Sequence, residues 1–297
     1  MKGERFKSRN CTFNPLTFNL FITMNHFVNE ILEEIYKARG LNFNDYRNAP
    51  EKKIVSRMAK LQINDPCIYL ERLRTNPSEC DCLIDSVSIN VSSFFRNPVV
   101  FEIIAQKVLP FVIDKKTHAK TGEIRVWSAG CAAGEEACSI AILIREALGE
   151  KITEWQPFIF ATDISARALD TAKKGIYNRK SLENTKLGIL DKYFIAKDDK
   201  YEVNPVIREM VSFSLDDLTS KERFAPTESI FGTFDIVLCR NVIIYFSRDI
   251  QKRLFHKLYR SMDKGGFLIL GASESLNPET EARLIASDRI NRIYQKP

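Results

Sequence analysis

Residues 124–139, IRVWSAGCAAGEEACS, constrain this chain more than any other stretch. Ile124, Val126 and Trp127, alternating with Arg125, read as a buried strand. A turn of small residues follows, Ser128-Ala129-Gly130-Cys131-Ala132-Ala133-Gly134. Glu135 and Glu136 then open an apolar-periodic helix, Ala137 to Leu148, their charges complementing the positive end of its dipole. Strand, tight glycine turn and helix make up the nucleotide-cradling unit of a doubly wound α/β sheet. The turn must be small so that an adenosine moiety can lie against bare backbone.

The turn also narrows the kind of nucleotide. It lacks the G-x-G-x-x-G of a dinucleotide site and the Gly-Lys-Ser/Thr ending of a phosphate loop, and its Glu pair would repel phosphates. A ligand with a sulfonium, an amino acid and no phosphate suits it, which describes S-adenosylmethionine (SAM). From the turn alone, a small-residue connection that binds nothing stays open as the alternative.

At 297 residues the chain suggests about two domains, with ample length for a substantial core. A net charge of +6 hints at an acidic partner; spread over this length, it lacks the dense basic groove with stacking aromatics of a nucleic-acid enzyme. Seven scattered cysteines do not form a disulfide framework, and Cys80-Asp81-Cys82 is too close for usual zinc spacing. His26, His118 and His256 lie far apart, so no metal site is expected, and reduced thiols point to the cytoplasm. No apolar run approaches the roughly 20 residues of a membrane helix. Residues 1–23 read as a flexible extension, with Met24 opening the first convincing helix.

From residue 24 to 89 the pattern is all-helical. Phe27, Ile31, Leu32 and Ile35 share a face that ends at Gly40. Ile54, Met58 and Leu61 share another, opposite Lys52, Lys53, Arg57 and Lys60. Asp65-Pro66 opens a third helix, and a short helical piece runs from Leu83 to Ile89. The segment NVSSFFRNP, Asn90 to Pro98, is a join, followed by a helix Val99–Ile113 and a polar loop Asp114–Gly122. Beyond the glycine turn, strands are expected at Phe158–Thr162, Met210–Leu215, Phe234–Cys239 and Phe267–Gly271, with a last candidate at Arg289–Gln295. Helices are expected at Ser165–Lys174 and Asp249–Met262. Asp163, ending the second strand, is where such sheets grip a ribose diol; as a mere cap of the helix that follows, it would serve structure alone. Residues 176–209, long and polar for an α/β connection, read as a small inserted subdomain.

These segments together resemble the CheR family, the SAM-dependent methyltransferases that esterify receptor glutamates in chemotaxis. Asn90–Arg96 (NVSSFFR), Trp127–Ser139, Ala161-Thr162-Asp163-Ile164, Gly175-Ile176-Tyr177, Phe234–Phe246 (FDIVLCRNVIIYF), Lys264-Gly265-Gly266 and Gly271–Glu274 carry the likeness, in family order. It runs from about Phe27 to the end. The resemblance implies a doubly wound, Rossmann-like methyltransferase domain over 90–297 with an inserted β-subdomain, preceded by an all-α domain over 24–89. It implies cofactor contacts from Asn90, Ser92, Arg96, Glu135, Asp163, Asp217, Leu218, Arg240 and Asn241, with Arg96 and Tyr245 bordering the methyl-transfer centre. It further implies that the basic helix faces the acidic methylation region of a receptor's cytoplasmic domain, and that the inserted subdomain takes a receptor C-terminal peptide. The sequence departs from the family's habit at Ala137-Cys138, where Pro-Tyr is common, at Asp217 for asparagine and at Ala272 for histidine.

The expected chemistry needs little acid–base help, because a glutamate with an ordinary pKa near 4.3 is ionised at neutral pH. Tyr245 would aim the acceptor oxygen, and Arg96 would hold a carboxylate by a bidentate bond. Read residue by residue, Tyr245 as a satisfied core tyrosine, Arg96 as an interdomain ion pair and the basic helix as a solvated face remain open. A non-catalytic SAM-binding regulator, or a methyltransferase for another substrate, is the alternative for the whole.

Overall fold

The computed structural model describes residues 15–39, 41, 43, 50–87, 92–220, 225–226, 229 and 232–297, with backbone alone for 15–25. The chain divides into two compact units near residue 80.

The first unit is helical. Its helices are α1 (Pro15–Arg39), α2 (Pro50–Lys60), α3 (Pro66–Thr75) and α4 (Pro77–Val87), the last running across the division. α1 begins before Met24, and α4 begins before Leu83 because Pro77 suits a first helical position. Ile31, Ile35, Ile54, Met58 and Leu73 are buried, as their 3.6-residue spacing predicts. The basic face of α2 needs one correction. Arg57 turns inward, donating from Nε and Nη2 to Glu79 at 2.8 Å each. Tyr69 Oη adds a third bond to Glu79 at 3.1 Å. Lys52, Lys53 and Lys60 stay exposed.

The second unit is built on a seven-stranded sheet. After the join come α5 (Pro98–Ile103), a π-helical turn (104–108) and α6 (Leu109–Ala119). β1 (Glu123–Ala129), α7 (Glu135–Leu148), β2 (Gln156–Asp163) and α8 (Ala166–Lys174) follow. The polar loop expected at 114–122 is mostly helix. Its lysines are anchors, Lys116 on buried Asp235 and Lys115 on Asp263, each at 2.9 Å.

The insertion contains β3 (Ile176–Asn178), α9 (Leu187–Tyr193), β4 (Phe194–Lys197), β5 (Lys200–Val203) and α10 (Pro205–Arg208). Its three strands form an antiparallel sheet in the order β3-β5-β4. The main sheet resumes with β6 (Val211–Leu215), β7 (Phe234–Cys239), α11 (Arg248–Ser261), β8 (Met262–Leu270), α12 (Pro278–Glu281), β9 (Ile285–Asp288) and β10 (Ile293–Gln295).

The main sheet has the order β6-β2-β1-β7-β8-β10-β9, parallel from β6 to β8 and closed by the antiparallel β10. β7 is buried along its whole length, which is why its residues read as a near-continuous apolar run, broken only by Asp235, the partner of Lys116. Two expectations fall at β8 and beyond. β8 runs through Gly265-Gly266 instead of starting after them, since Gly265 N–H and Gly266 C=O pair with Lys296 (both 2.9 Å). The tail holds a hairpin, β9 and β10, where one strand is expected.

Candidate functional site

In the parallel part of the sheet the connections run outward one way from β1 through β2 to β6, and the other way from β7 to β8. The carboxyl ends of β1 and β7 therefore flank the switch point where such sheets bind ligands. The expected residues sort onto these ends. Gly130–Gly134 follow β1, Asp163 ends β2, Asp217-Leu218 follow β6, and Arg240–Tyr245 follow β7.

The bend after β1 is held from β2. Gly130 and Cys131 N–H donate to the Thr162 carbonyl at 2.8 and 2.9 Å. Asp163 then accepts from Ala132 N–H at 2.8 Å and from Ser165 N–H at 2.9 Å. The cap of α8 is Ser165, whose Oγ accepts from Ala168 N–H at 3.0 Å; Asp163 instead ties the bend to the end of β2, and its remaining lone pairs leave room for hydroxyl donors. Burial pushes its carboxyl above the ordinary aspartate range, against these bonds. Gly130 sits at φ +78°, and a Cβ there would lie 2.4 Å from Val242 Cγ2. Only glycine lets the bend approach the loop after β7 so closely.

Glu135 opens α7 and is buried. Burial raises its pKa, Ser92 hydrogen-bonds it, and its Oε2 is buried with no hydrogen-bond partner. A buried carboxylate with one orphaned oxygen is the complement of an ammonium group, so the residues present fit the amino-acid end of SAM. Glu135, Ser92 and Arg96 line a cleft of about 690 Å³ together with Tyr177 and Lys180 of the insertion.

The join is clamped within this unit. Phe95 N–H donates to Ser139 Oγ at 3.0 Å and Phe94 N–H to the Ser181 carbonyl at 2.8 Å. The Phe94 ring meets Tyr177 and Phe194 edge-on at 4.8 and 4.9 Å, while Phe95 meets Phe101. Arg240 completes the clamp from β7. Its Nη2 donates to the Arg96 carbonyl at 2.8 Å and to Asn97 Oδ1 at 3.0 Å. Its Nη1 reaches Glu136 Oε2 at 3.2 Å, and the guanidinium lies over the Phe101 ring. Its Nε is buried without a hydrogen-bond partner.

The remaining candidates are placed as follows. Asp217 Oδ1 accepts from Thr219 N–H and Oγ at 2.8 and 2.7 Å, and Leu218 is buried beside it. Asn241 is left-handed at φ +61°. Tyr245, half-buried, ends a 3₁₀ turn (Ile243–Tyr245) and does not line the cleft that Arg96 shares with Glu135. Asn90 lies outside the described residues. Among the described residues, no three His, Cys, Asp or Glu come together as a metal site, and no helix is long and apolar enough to cross a membrane.

Two acidic residues were not among the candidates. Glu136 bridges Ser128 Oγ (2.8 Å) on β1 to Arg240. Glu274 accepts four backbone N–H groups beneath the loop after β7. The second glutamate of the Glu pair was a visible hint for the first. For Glu274 the Gly271–Glu274 motif was a hint without a role.

A doubly wound sheet with this glycine bend, a buried glutamate opening the helix after it and an aspartate ending the second strand defines a Rossmann-like SAM-dependent methyltransferase fold. The family model for the SAM-binding domain of CheR methyltransferases matches residues 90–290, and that for their all-alpha domain matches 28–88. The chain belongs to the CheR methyltransferase family and carries its SAM-binding domain. It is 31% identical to a chemotaxis protein methyltransferase of Salmonella typhimurium, over 88% of each chain. It is 29% identical to one of Borreliella burgdorferi, over 90% of this chain and 94% of the other. It is also 32% identical, over 89% of its length, to an uncharacterised 104.1 kDa protein of Rhodobacter capsulatus, of which it spans 27%.

Proposed function

We propose that the chain transfers the methyl group of SAM to glutamate side chains in the cytoplasmic domains of chemoreceptors, forming methyl esters and S-adenosylhomocysteine in the cytoplasm. The observation that carries this reading is the cleft where Arg96 faces the same space as the buried, half-partnered Glu135. A cation for an incoming carboxylate thus stands beside an anion for the cofactor's ammonium.

Bound SAM supplies an electrophilic methyl on a sulfonium. In this reading Glu135 and its hydrogen-bond partner Ser92, with Asn90 two residues before Ser92 in the chain, grip the amino-acid end of SAM. Asp163 accepts from the ribose hydroxyls, Asp217 and Leu218 border the adenine, and Arg240 and Asn241 close the site from β7. Arg96 holds a carboxylate by charge-assisted bonds, and Tyr245 donates to the acceptor oxygen and aims it. Because the acceptor is already ionised, no proton has to move. Charge disappears as the reactants meet, so alignment and exclusion of water supply the acceleration. The domains divide at residues 89–90 in this account. Lys52, Lys53 and Lys60 meet the receptor's acidic methylation region, and the insertion's small sheet takes the receptor's C-terminal peptide.

The test is transfer of labelled methyl from SAM to a receptor cytoplasmic fragment. The expected result is a base-labile ester that disappears when the fragment's candidate glutamates are replaced. Label in RNA, or no label on the fragment despite SAM binding, refutes the substrate assignment.

A further inference from the structure

The loop after β7 turns sharply. It carries Arg240, Asn241 and Tyr245, and Asn241 sits in the left-handed region at φ +61°, which asparagine adopts more readily than most side chains. Such a turn leaves backbone N–H groups that need a partner, and the partner fixes its shape.

Glu274 imposes it. Glu274 is 2% exposed, and all four hydrogen bonds to its carboxylate come from backbone. Oε1 accepts from Val242 N–H at 2.8 Å and Ile243 N–H at 2.7 Å. Oε2 accepts from Asn241 N–H at 3.0 Å and Gly271 N–H at 2.6 Å. Three consecutive N–H groups turned to one point form an anion-binding nest, and here a side chain of the protein fills it. Burial pushes the Glu274 carboxyl above its ordinary range, and the four N–H donors oppose that rise. Gly271 makes room: a Cβ there would stand 2.7 Å from Asn241 N and 2.8 Å from Glu274 Oε2.

We infer that Glu274 is a positioning residue for methyl transfer, fixing through these four bonds the loop that presents Arg240, Asn241 and Tyr245. It acts without touching either reactant. The inference rests on the proposed function for the roles of those three residues.

Two full-length variants test it by different routes. Glu274→Gln keeps the shape but turns an NH₂ toward two of the four N–H groups. Gly271→Ala keeps the carboxylate and wedges it from Asn241. For both, kcat with the receptor fragment should fall on the order of 10- to 100-fold, as a displacement of about 1 Å at a reacting centre costs. KM for SAM should rise several-fold, and KM for the fragment should stay within about twofold, because the loop serves the cofactor side and the reacting centre. Each variant should still bind S-adenosylhomocysteine at one per chain, with a single cooperative unfolding transition. Wild-type kcat and KM in Glu274→Gln overturn the inference. So does a loss of activity matched by a loss of binding-competent protein, which is what a merely structural residue would give. If the wild-type chain labels no receptor fragment, the substrate reading fails on its own. S-adenosylhomocysteine affinity then decides for Glu274, with binding several-fold weaker supporting the inference and unchanged binding overturning it.

Discussion

The close approach of the glycine bend to the loop after β7 makes Gly130→Ala the most informative single change. At φ +78°, a side chain costs roughly 1–2 kcal/mol of backbone strain. The added Cβ would sit 2.4 Å from Val242 Cγ2 and 3.2 Å from Cγ1. Forcing such an overlap apart costs a further ~1–3 kcal/mol, so the variant should lose about 2–5 kcal/mol in all. The two contributions separate in a cycle. Val242→Ala removes both γ carbons at the cost of about 1 kcal/mol for a half-buried side chain. In the double variant the overlap is gone while the backbone strain remains. It should therefore be less destabilised than the sum of the singles by ~1–3 kcal/mol. Urea unfolding followed by tryptophan fluorescence reads this directly. The chain's two tryptophans, Trp127 and Trp155, both belong to the sheet unit, and Trp127 is fully buried on β1. A Gly130→Ala variant within about 0.5 kcal/mol of wild type, or an additive cycle, would refute the contact.

Further outcomes follow from the buried charges. Glu135→Gln should make the ligand-free protein more stable by ~1 kcal/mol, because a buried carboxylate with an orphaned oxygen is costly to ionise, and should weaken S-adenosylhomocysteine binding at least tenfold by calorimetry. Lower stability with unchanged binding would remove Glu135 from the cofactor site. In the helical unit, burial raises the Glu79 carboxyl and the bonds from Arg57 outweigh it, leaving its pKa below the ordinary value. Its stabilisation is therefore full above the unfolded glutamate pKa near 4.3 and is lost as pH falls through the lower folded value. Acid unfolding of Arg57→Met, monitored by circular dichroism, should lack that step. Reversing Lys52, Lys53 and Lys60 to Glu should raise KM for the receptor fragment and leave stability within ~1.5 kcal/mol, since each surface change rarely costs more than ~0.5 kcal/mol. Replacing Tyr245 with Phe should lower kcat on the order of tenfold with the fold intact, as loss of one ordinary hydrogen bond of about 1.4 kcal/mol does; unchanged turnover would exclude it from the reaction.

Where burial follows from sequence periodicity, the chain was readable. β7 has no exposed face, so its run of apolar residues could be little else. The bend after β1 announced itself by small residues, and Asp163 by its place at a strand end. Position could not give the partners. The second half of α6, from residue 114, reads as a loop because Lys115 and Lys116 are polar, yet each pairs with an aspartate more than 100 residues away. β9 was hidden because an exposed edge strand lacks alternation, with Ile285, Ala286 and Ser287 all exposed. Arg57 looked like part of a solvated stripe, and only the contact with Glu79 turns it inward. Glu136 and Glu274 escaped for the same reason, since each acts on groups brought near by the fold of the whole sheet.

The most direct measurement is a crystal structure of the chain with S-adenosylhomocysteine. The nucleoside should lie against Gly130–Gly134, its ribose hydroxyls on Asp163 and its ammonium on Glu135 Oε2, with Arg96 and Tyr245 facing the sulfur. An empty bend, or Arg96 and Tyr245 both turned from the sulfur, would contradict this placement.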